Sequence, residues 1–289
     1  MIMPDRRATL ELNQRQKAYY ESRFQAAGED EAAANRVTNL WTRLRRRIQC
    51  NDLRIGIREA IQADHRGWLG DVSGTRVLDL GCFTGNELSL WLASQADEYV
   101  GMDLSEQAAA ELQRKLDTEV ASANARAVAD DVLAGTLPAG HFDIVYAYSV
   151  LHHFRDTTMV LEELDRLLKP GGLVVSVDPL ATEPLNRLAR TLYRPFQSDS
   201  DWEWPFTYAT FRALRRYFRI DRVQGYRGLS MLSLPLAALP FTGGLARRVG
   251  QAGVRMERRF ANRTGPALWM CWIVSTRLIK PTDQETQQA

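Results

Sequence analysis

Cysteine, histidine and long apolar runs are all scarce in this 289-residue chain, and each scarcity excludes a class of protein. Cys50, Cys82 and Cys271 lie far apart without CxxC spacing. That pattern excludes a disulfide framework and a cysteine-rich zinc site, and leads to the expectation of a reducing, cytoplasmic setting. No stretch reaches the roughly 18 uninterrupted apolar residues of a membrane span, so a soluble or at most peripheral protein is expected. The opening Met-Ile-Met-Pro-Asp-Arg-Arg lacks the apolar run of a signal peptide. Charge of one sign is missing too: a net charge of +2 gives no general pull toward nucleic acid or an anionic membrane. What is present is the balance of a globular chain, 45% hydrophobic and 25% charged, long enough for one large domain or a core with an appendage. There is no internal repeat and no low-complexity tract.

The chain divides into three textures. Residues 8 to about 65 read as helical, with Leu40, Trp41, Leu44 and Ile48 recurring on one face. Between positions 36 and 58, Arg36, Arg43, Arg45, Arg46, Arg47, Arg54 and Arg58 stand against a single acid, Asp52. That run is either a solvated helix face or a cationic rim over a site for an anionic substrate. From residue 76, short apolar runs alternate with helical patterns. Strands are expected at Arg76–Leu80, Glu98–Met102, Asn124–Val128, Phe142–Tyr148 and Leu173–Val177, with Asp156 capping the helix before the last of these. This alternation predicts a parallel sheet with helices on both faces. After Asp178 the regularity loosens. An insertion or lid is expected in the proline-bearing stretch after residue 180, a helix at Tyr208–Phe218, a sixth strand at Arg219–Gln224 and a closing strand at Leu268–Leu278. The apolar segment Leu229–Phe241 is expected to be buried against the helical cap, or else to form an acceptor channel or rest on a membrane surface.

The chemistry starts at Asp79-Leu80-Gly81-Cys82-Phe83-Thr84-Gly85, a glycine-bearing turn between a strand and a helix. Such a turn brings backbone N–H groups close to a ligand beyond the strand ends. The GxGxxG of dinucleotide sites is absent, and the strand carries an acid, Asp79. A phosphate cradle gains nothing from an added carboxylate, whereas a cationic ligand bearing an ammonium group does. Asp103 ends the second strand, where nucleotide folds place a carboxylate on ribose hydroxyls. Asp130 and Asp131 follow the third strand, where an acid accepts from an exocyclic amine. Three acidic loops in succession suit an adenosine linked to an amino acid.

On these residues the sequence resembles the class I S-adenosylmethionine (SAM)-dependent methyltransferases, most closely their ubiquinone and menaquinone branch. The resemblance covers roughly residues 76–178. It rests on Val77–Gly85, Asp103, Asp131 with Asp130 behind it, Phe142-Asp143-Ile144-Val145 through Val150-Leu151-His152-His153, and Leu167-Leu168-Lys169-Pro170-Gly171-Gly172. It implies an α/β fold: a Rossmann-like, seven-stranded, mostly parallel sheet with its last strand antiparallel. It also implies SAM as cofactor, with S-adenosylhomocysteine as product, held by Asp79, Gly81, Cys82, Phe83, Gly85, Asp103, Leu104, Asp130, Asp131, Val132, Tyr148 and Tyr20. One position departs from the family. Phe83 stands where the motif has its middle glycine, and it either tunes the methionyl end of the pocket or marks a non-catalytic relative.

Methyl transfer from a sulfonium is an in-line displacement, so positioning and exclusion of water dominate. An oxygen acceptor also needs a base, for which histidine is suited. His141 precedes the fourth strand and reads as structural, and His65, near the end of the helical region, as exposed. His153, then His152, follow the strand at its carboxyl end and are the catalytic candidates. Trp202 and Trp204, with His153, are the candidate acceptor contacts. Ser149-Val150-Leu151-His152 is not the Asn/Asp-Pro-Pro-Tyr/Phe motif of base-amine methylation, so no nucleic-acid partner is expected. The expected organisation is a helical cap over 1–70, a SAM-binding domain over 71–280 with an acceptor or lid insertion at about 180–215 and the apolar segment 229–241, and a disordered tail over 281–289. The expected partner is a small acceptor, anionic or lipid-like, methylated on oxygen. Carbon or nitrogen acceptors and a non-catalytic SAM-binding role remain as alternatives, and peripheral membrane contact and oligomeric state stay open.

Overall fold

A computed structural model describes residues 6–26, 36–120, 123–196, 202–237 and 239–282. Three helices come first, α1 (Arg6–Ala26), α2 (Arg36–Ile55) and α3 (Ile57–Leu69). The alternating region follows: β1 (Arg76–Leu80), α4 (Glu87–Gln95), β2 (Glu98–Asp103), α5 (Glu106–Glu119), β3 (Ala125–Ala129), β4 (Phe142–Tyr148), α6 (Thr157–Leu167) and β5 (Leu168–Pro179). The last part holds α7 (Pro184–Tyr193), α8 (Tyr208–Tyr217), β6 (Arg219–Tyr226), α9 (Ser233–Ala237), α10 (Gly243–Phe260), α11 (Pro266–Trp269) and β7 (Ile273–Ile279).

The sheet has seven strands in the order β3-β2-β1-β4-β5-β7-β6. Strands β1 to β5 pair in parallel, and β7 runs antiparallel to both β5 and β6. Val77, Leu78 and Leu80 of β1 are buried, as expected where helices cover both faces of a parallel sheet. One layer of the core includes Leu78, Val100, Val145, Leu164 and Phe211, and the other Val77, Leu92, Leu112 and Tyr146. Side chains close the helix starts. Asn86 accepts from the N–H of Leu88 and Ser89 at α4, Ser105 from Ala108 at α5, and Asp156 from Thr158 at α6, the last as its position suggested. Between β1 and β4 the sheet changes its winding direction, which opens a crevice at the strand ends.

Several expectations need correction. His65, expected exposed, is fully buried in α3 with its Nε2 2.8 Å from Ser275 Oγ on β7, because α3 lies on the sheet rather than out in solvent. Ile57 and Ile61 of α3 share a core cluster with Val177, Tyr226 and Val254. β5 starts at Leu168 rather than Leu173, with Gly171 at φ +78° inside a register irregularity. The closing strand begins at Ile273 rather than Leu268, since Pro266 starts the short α11 instead. In the segment 229–241, Leu229, Leu232, Leu239 and Phe241 are exposed while Ser230 and Ser233 are buried. Ser233 accepts from Asn51 of α2 at 2.8 Å, so the serines rather than the leucines dock the segment. α2 is helical as expected, but the side chains of Leu40, Trp41 and Leu44 lie outside the described residues, as do the polar stretch 197–201 and the tail from 283.

Candidate active site

The crevice at the β1–β4 switch holds a cavity of about 240 Å³. Of the residues expected to hold SAM, Gly81, Phe83, Asp103, Leu104, Asp130, Asp131, Val132, Tyr148 and Tyr20 line it, together with His153. Asp79, Cys82 and Gly85 do not. Asp79 is buried behind the turn and accepts from Tyr99 Oη at 2.7 Å, and burial raises its carboxyl to about 6. Cys82 is buried in the core layer beneath the loop. Gly85, at φ +73°, leaves room for another element: an added Cβ would come within 2.7 Å of Leu112 of α5.

The first loop is held by backbone geometry. Gly81 sits at φ +64°, and a Cβ there would strike Val150 at 2.4 Å. Phe83 adopts φ +46°, in the left-handed region that favours glycine. Its N–H donates to Asp103 Oδ2 at 2.9 Å, and Ser105 N–H donates to Oδ1 at 2.9 Å, so one carboxylate ties the loops after β1 and β2 together. Burial raises the Asp103 carboxyl above its ordinary range, and these backbone donors partly offset that. Ser149, after β4, is also left-handed at φ +62°, with its N–H donating to Val177 O at 2.8 Å.

α1 roofs the cavity, and it supplies what sequence reasoning missed. Asn13 and Gln16 are buried and line the cavity with Tyr20, at steps of three and four on one helix face. A buried polar pair in register with an aromatic was the signal that could have found them. Asn13 Nδ2 donates to Asp131 Oδ2 at 2.8 Å, and Leu133 N–H donates to Asp131 Oδ1 at 2.9 Å. Burial raises the Asp131 carboxyl, and the Asn13 donor opposes that. Asp130 accepts from Asp131 N–H and Thr136 Oγ1 at 2.8 and 2.7 Å. Arg6 donates to Leu133 O, and Lys17 Nζ lies 2.6 Å from Glu106.

The two histidines separate. His152 is buried outside the cavity, its Nδ1 3.0 Å from Asp178 Oδ1. His153 lines the cavity, packs edge-on to Tyr20 at 5.9 Å, and donates from Nδ1 to the carbonyl of Trp202 at 2.6 Å. A neutral imidazole bonded that way carries its lone pair on Nε2. Trp202 does not line the cavity and lies 6.1 Å from Tyr19, while Trp204 lines a second, larger cavity described below. His141 is structural, with Nε2 2.8 Å from Glu98. Arg43, Arg46, Arg47, Arg54 and Arg58, the arginines of the 36–58 run whose side chains are described, line neither cavity.

Among the described residues, the cavity lining carries three carboxylates and no lysine or arginine. Phosphate would be repelled there, whereas a ligand with a cationic amino-acid end and a neutral nucleoside fits. This strand order with an antiparallel seventh strand, and an acid-lined crevice at its switch point, defines the Rossmann-like methyltransferase fold. Residues 78–174 match the family described as a methyltransferase domain. Among relatives, the 2-methyl-6-phytyl-1,4-hydroquinone methyltransferase of Synechocystis sp. is 30% identical over 105 residues, 36% of this chain and 32% of the relative. The ubiquinone biosynthesis O-methyltransferase of Paraburkholderia phymatum is 37% identical over 105 residues, 36% of this chain and 44% of that one. The chain thus spans less than half the length of either. A solved SAM-dependent methyltransferase from Mesorhizobium loti superposes with a TM-score of 0.50 and 19% identity, covering 74% of this chain and 95% of that structure, a likeness of fold.

Proposed function

We propose that this protein transfers the methyl group of SAM to an oxygen of a small hydrophobic or amphipathic acceptor. When bound, SAM supplies an electrophilic methyl on a sulfonium. Asp103 would hold the ribose hydroxyls while keeping Phe83 and Ser105 in place, and Asp131 would face the adenine amine beside its Asn13 donor. α1 excludes water by covering the cavity, and Tyr20 closes the side next to His153. The observation that carries the reading is His153, on the wall of the acid-lined cavity and oriented by the Trp202 carbonyl. It would accept the proton of the acceptor hydroxyl at Nε2 as the methyl is transferred. One relative is named for a hydroquinone and the other for O-methylation in ubiquinone biosynthesis, which favours an oxygen on an apolar molecule.

His153→Ala tests this. With the acceptor found by methyl-transfer screening against phenolic and hydroquinone compounds, kcat is expected to fall about a hundredfold, the usual worth of a positioned base, while S-adenosylhomocysteine affinity by calorimetry changes little. An unchanged kcat would make His153 a wall residue.

A further inference from the structure

Next to the acid-lined cavity lies a second of about 1170 Å³, and its charge is opposite. Among the described residues, Arg15, Arg155, Arg187, Arg190 and Arg194 line it, against two acids, Asp156 and Glu203. Asp156 already serves as the cap of α6, accepting from Thr158 N–H at 2.9 Å. Arg187, Arg190 and Arg194 follow one another at steps of three and four, so α7 and the turn after it aim them to one side. Arg15 and Arg155 come from the facing walls. Arg15, Arg155 and Arg187 have no ion pair among the described residues. The first residues of both α6 and α8 also line the cavity, and two helix N-termini add positive potential to that of the guanidinium groups.

Like charges gathered in one concavity repel one another unless an anion joins them. The two cavities are neighbours with shared walls. Phe154 lines both, and α1 stands between them, presenting Ala8, Leu12 and Arg15 to one and Asn13, Gln16 and Tyr20 to the other. The loop carrying Trp204 is tied to the histidine turn, its N–H donating to His152 O at 2.7 Å.

We infer that the arginine-lined cavity binds the phosphate or diphosphate group of the methyl acceptor, whose apolar part reaches past Phe154 to the SAM pocket. Arginine forks match phosphate oxygens in pairs, and several of them suit a group of charge near −2 better than a single carboxylate. The inference rests on the first cavity being the SAM site, and the two fail separately.

The test is calorimetry on the full chain saturated with S-adenosylhomocysteine, titrated with inorganic pyrophosphate and with hexyl phosphate. Both are expected to bind at one site, hexyl phosphate more tightly. The double variant Arg187→Gln/Arg190→Gln is expected to weaken both at least tenfold while S-adenosylhomocysteine affinity stays within twofold, which also reports that the variant is folded. Absence of binding by both probes, or equal binding by the variant, would overturn the inference. So would capture by phosphatidic acid vesicles without binding of hexyl phosphate, which would mean an anionic surface rather than a phosphate pocket is recognised. If S-adenosylhomocysteine itself does not bind, the methyltransferase reading falls, and pyrophosphate titration of the free chain still reads the arginine cavity.

Discussion

At the scale of single residues, the loop after β1 is a balance between a strained backbone and one carboxylate. A phenylalanine in the left-handed region costs about 1 kcal/mol relative to glycine, and Phe83 stays there because Asp103 captures its N–H. The residue is 52% exposed, so little burial holds it in return. Phe83→Gly is therefore expected to leave stability unchanged or raise it by up to about 1 kcal/mol, the gain from relieved strain being partly cancelled by glycine's freer unfolded chain. Urea unfolding reads this directly. A loss above about 1 kcal/mol would show that the ring, rather than the backbone, stabilises the loop. The same geometry makes Asp103 a structural clasp as well as the proposed ribose acceptor, because removing it leaves the Phe83 and Ser105 N–H groups without their acceptor.

At the scale of elements, α1 is a roof fastened at a few polar points. Asn13 to Asp131, Arg6 to the Leu133 carbonyl and Lys17 to Glu106 hold it over the crevice, with Thr9 Oγ1 3.3 Å from the Met159 sulfur. Only the first of these contacts is buried, so it matters most. Asn13→Ala removes a donor from a buried carboxylate, an effect of about 1.5 kcal/mol, so S-adenosylhomocysteine release is expected to quicken about tenfold in stopped-flow displacement. An unaltered release rate would mean that α1 does not gate the pocket. β5 and α3 show a related division. The strand carries the sheet into the antiparallel β7, and α3 seals the far side with His65 beside the aliphatic Ile57 and Ile61.

At the scale of the whole molecule, that histidine links folding to pH. Burial lowers the His65 ring to about 3, against 6.5 when free. Below pH 6.5 the unfolded chain takes up a proton that the folded protein refuses until about pH 3. Stability is therefore complete above that window and falls as the pH drops through it, by up to about 1.4 kcal/mol per pH unit from this group. Buried Asp79, raised to about 6, acts in the opposite sense between its two values, since its protonated form is favoured in the fold. Comparing wild type with His65→Gln cancels the Asp79 contribution. The variant is expected to be less stable at pH 7.5, and the gap should shrink on going to pH 5 in urea unfolding. A gap independent of pH would show that the fold leaves the proton affinity of His65 unchanged.

Much of this was legible in the chain itself. The strand-and-helix alternation from Arg76 to Pro179, the glycine turn, and the acids Asp103, Asp130 and Asp131 are local patterns, because period, capping and turn chemistry act over a few residues. From them the sheet and the line of the crevice follow. What the tertiary structure decided depends on contacts between distant segments. α3 lands on β5 and β7 and buries His65, which no neighbour in sequence announces. α1 folds back over strands more than a hundred residues away and brings Asn13 to Asp131. The arginine run at 36–58 reads as the cationic feature, yet the guanidinium groups gathered in one concavity come from α1, the turn before α6, and α7. Charge in a sequence is only a count along the chain, whereas a site is a potential in space, and the return of α1 and α7 across the strand ends determines where it builds up.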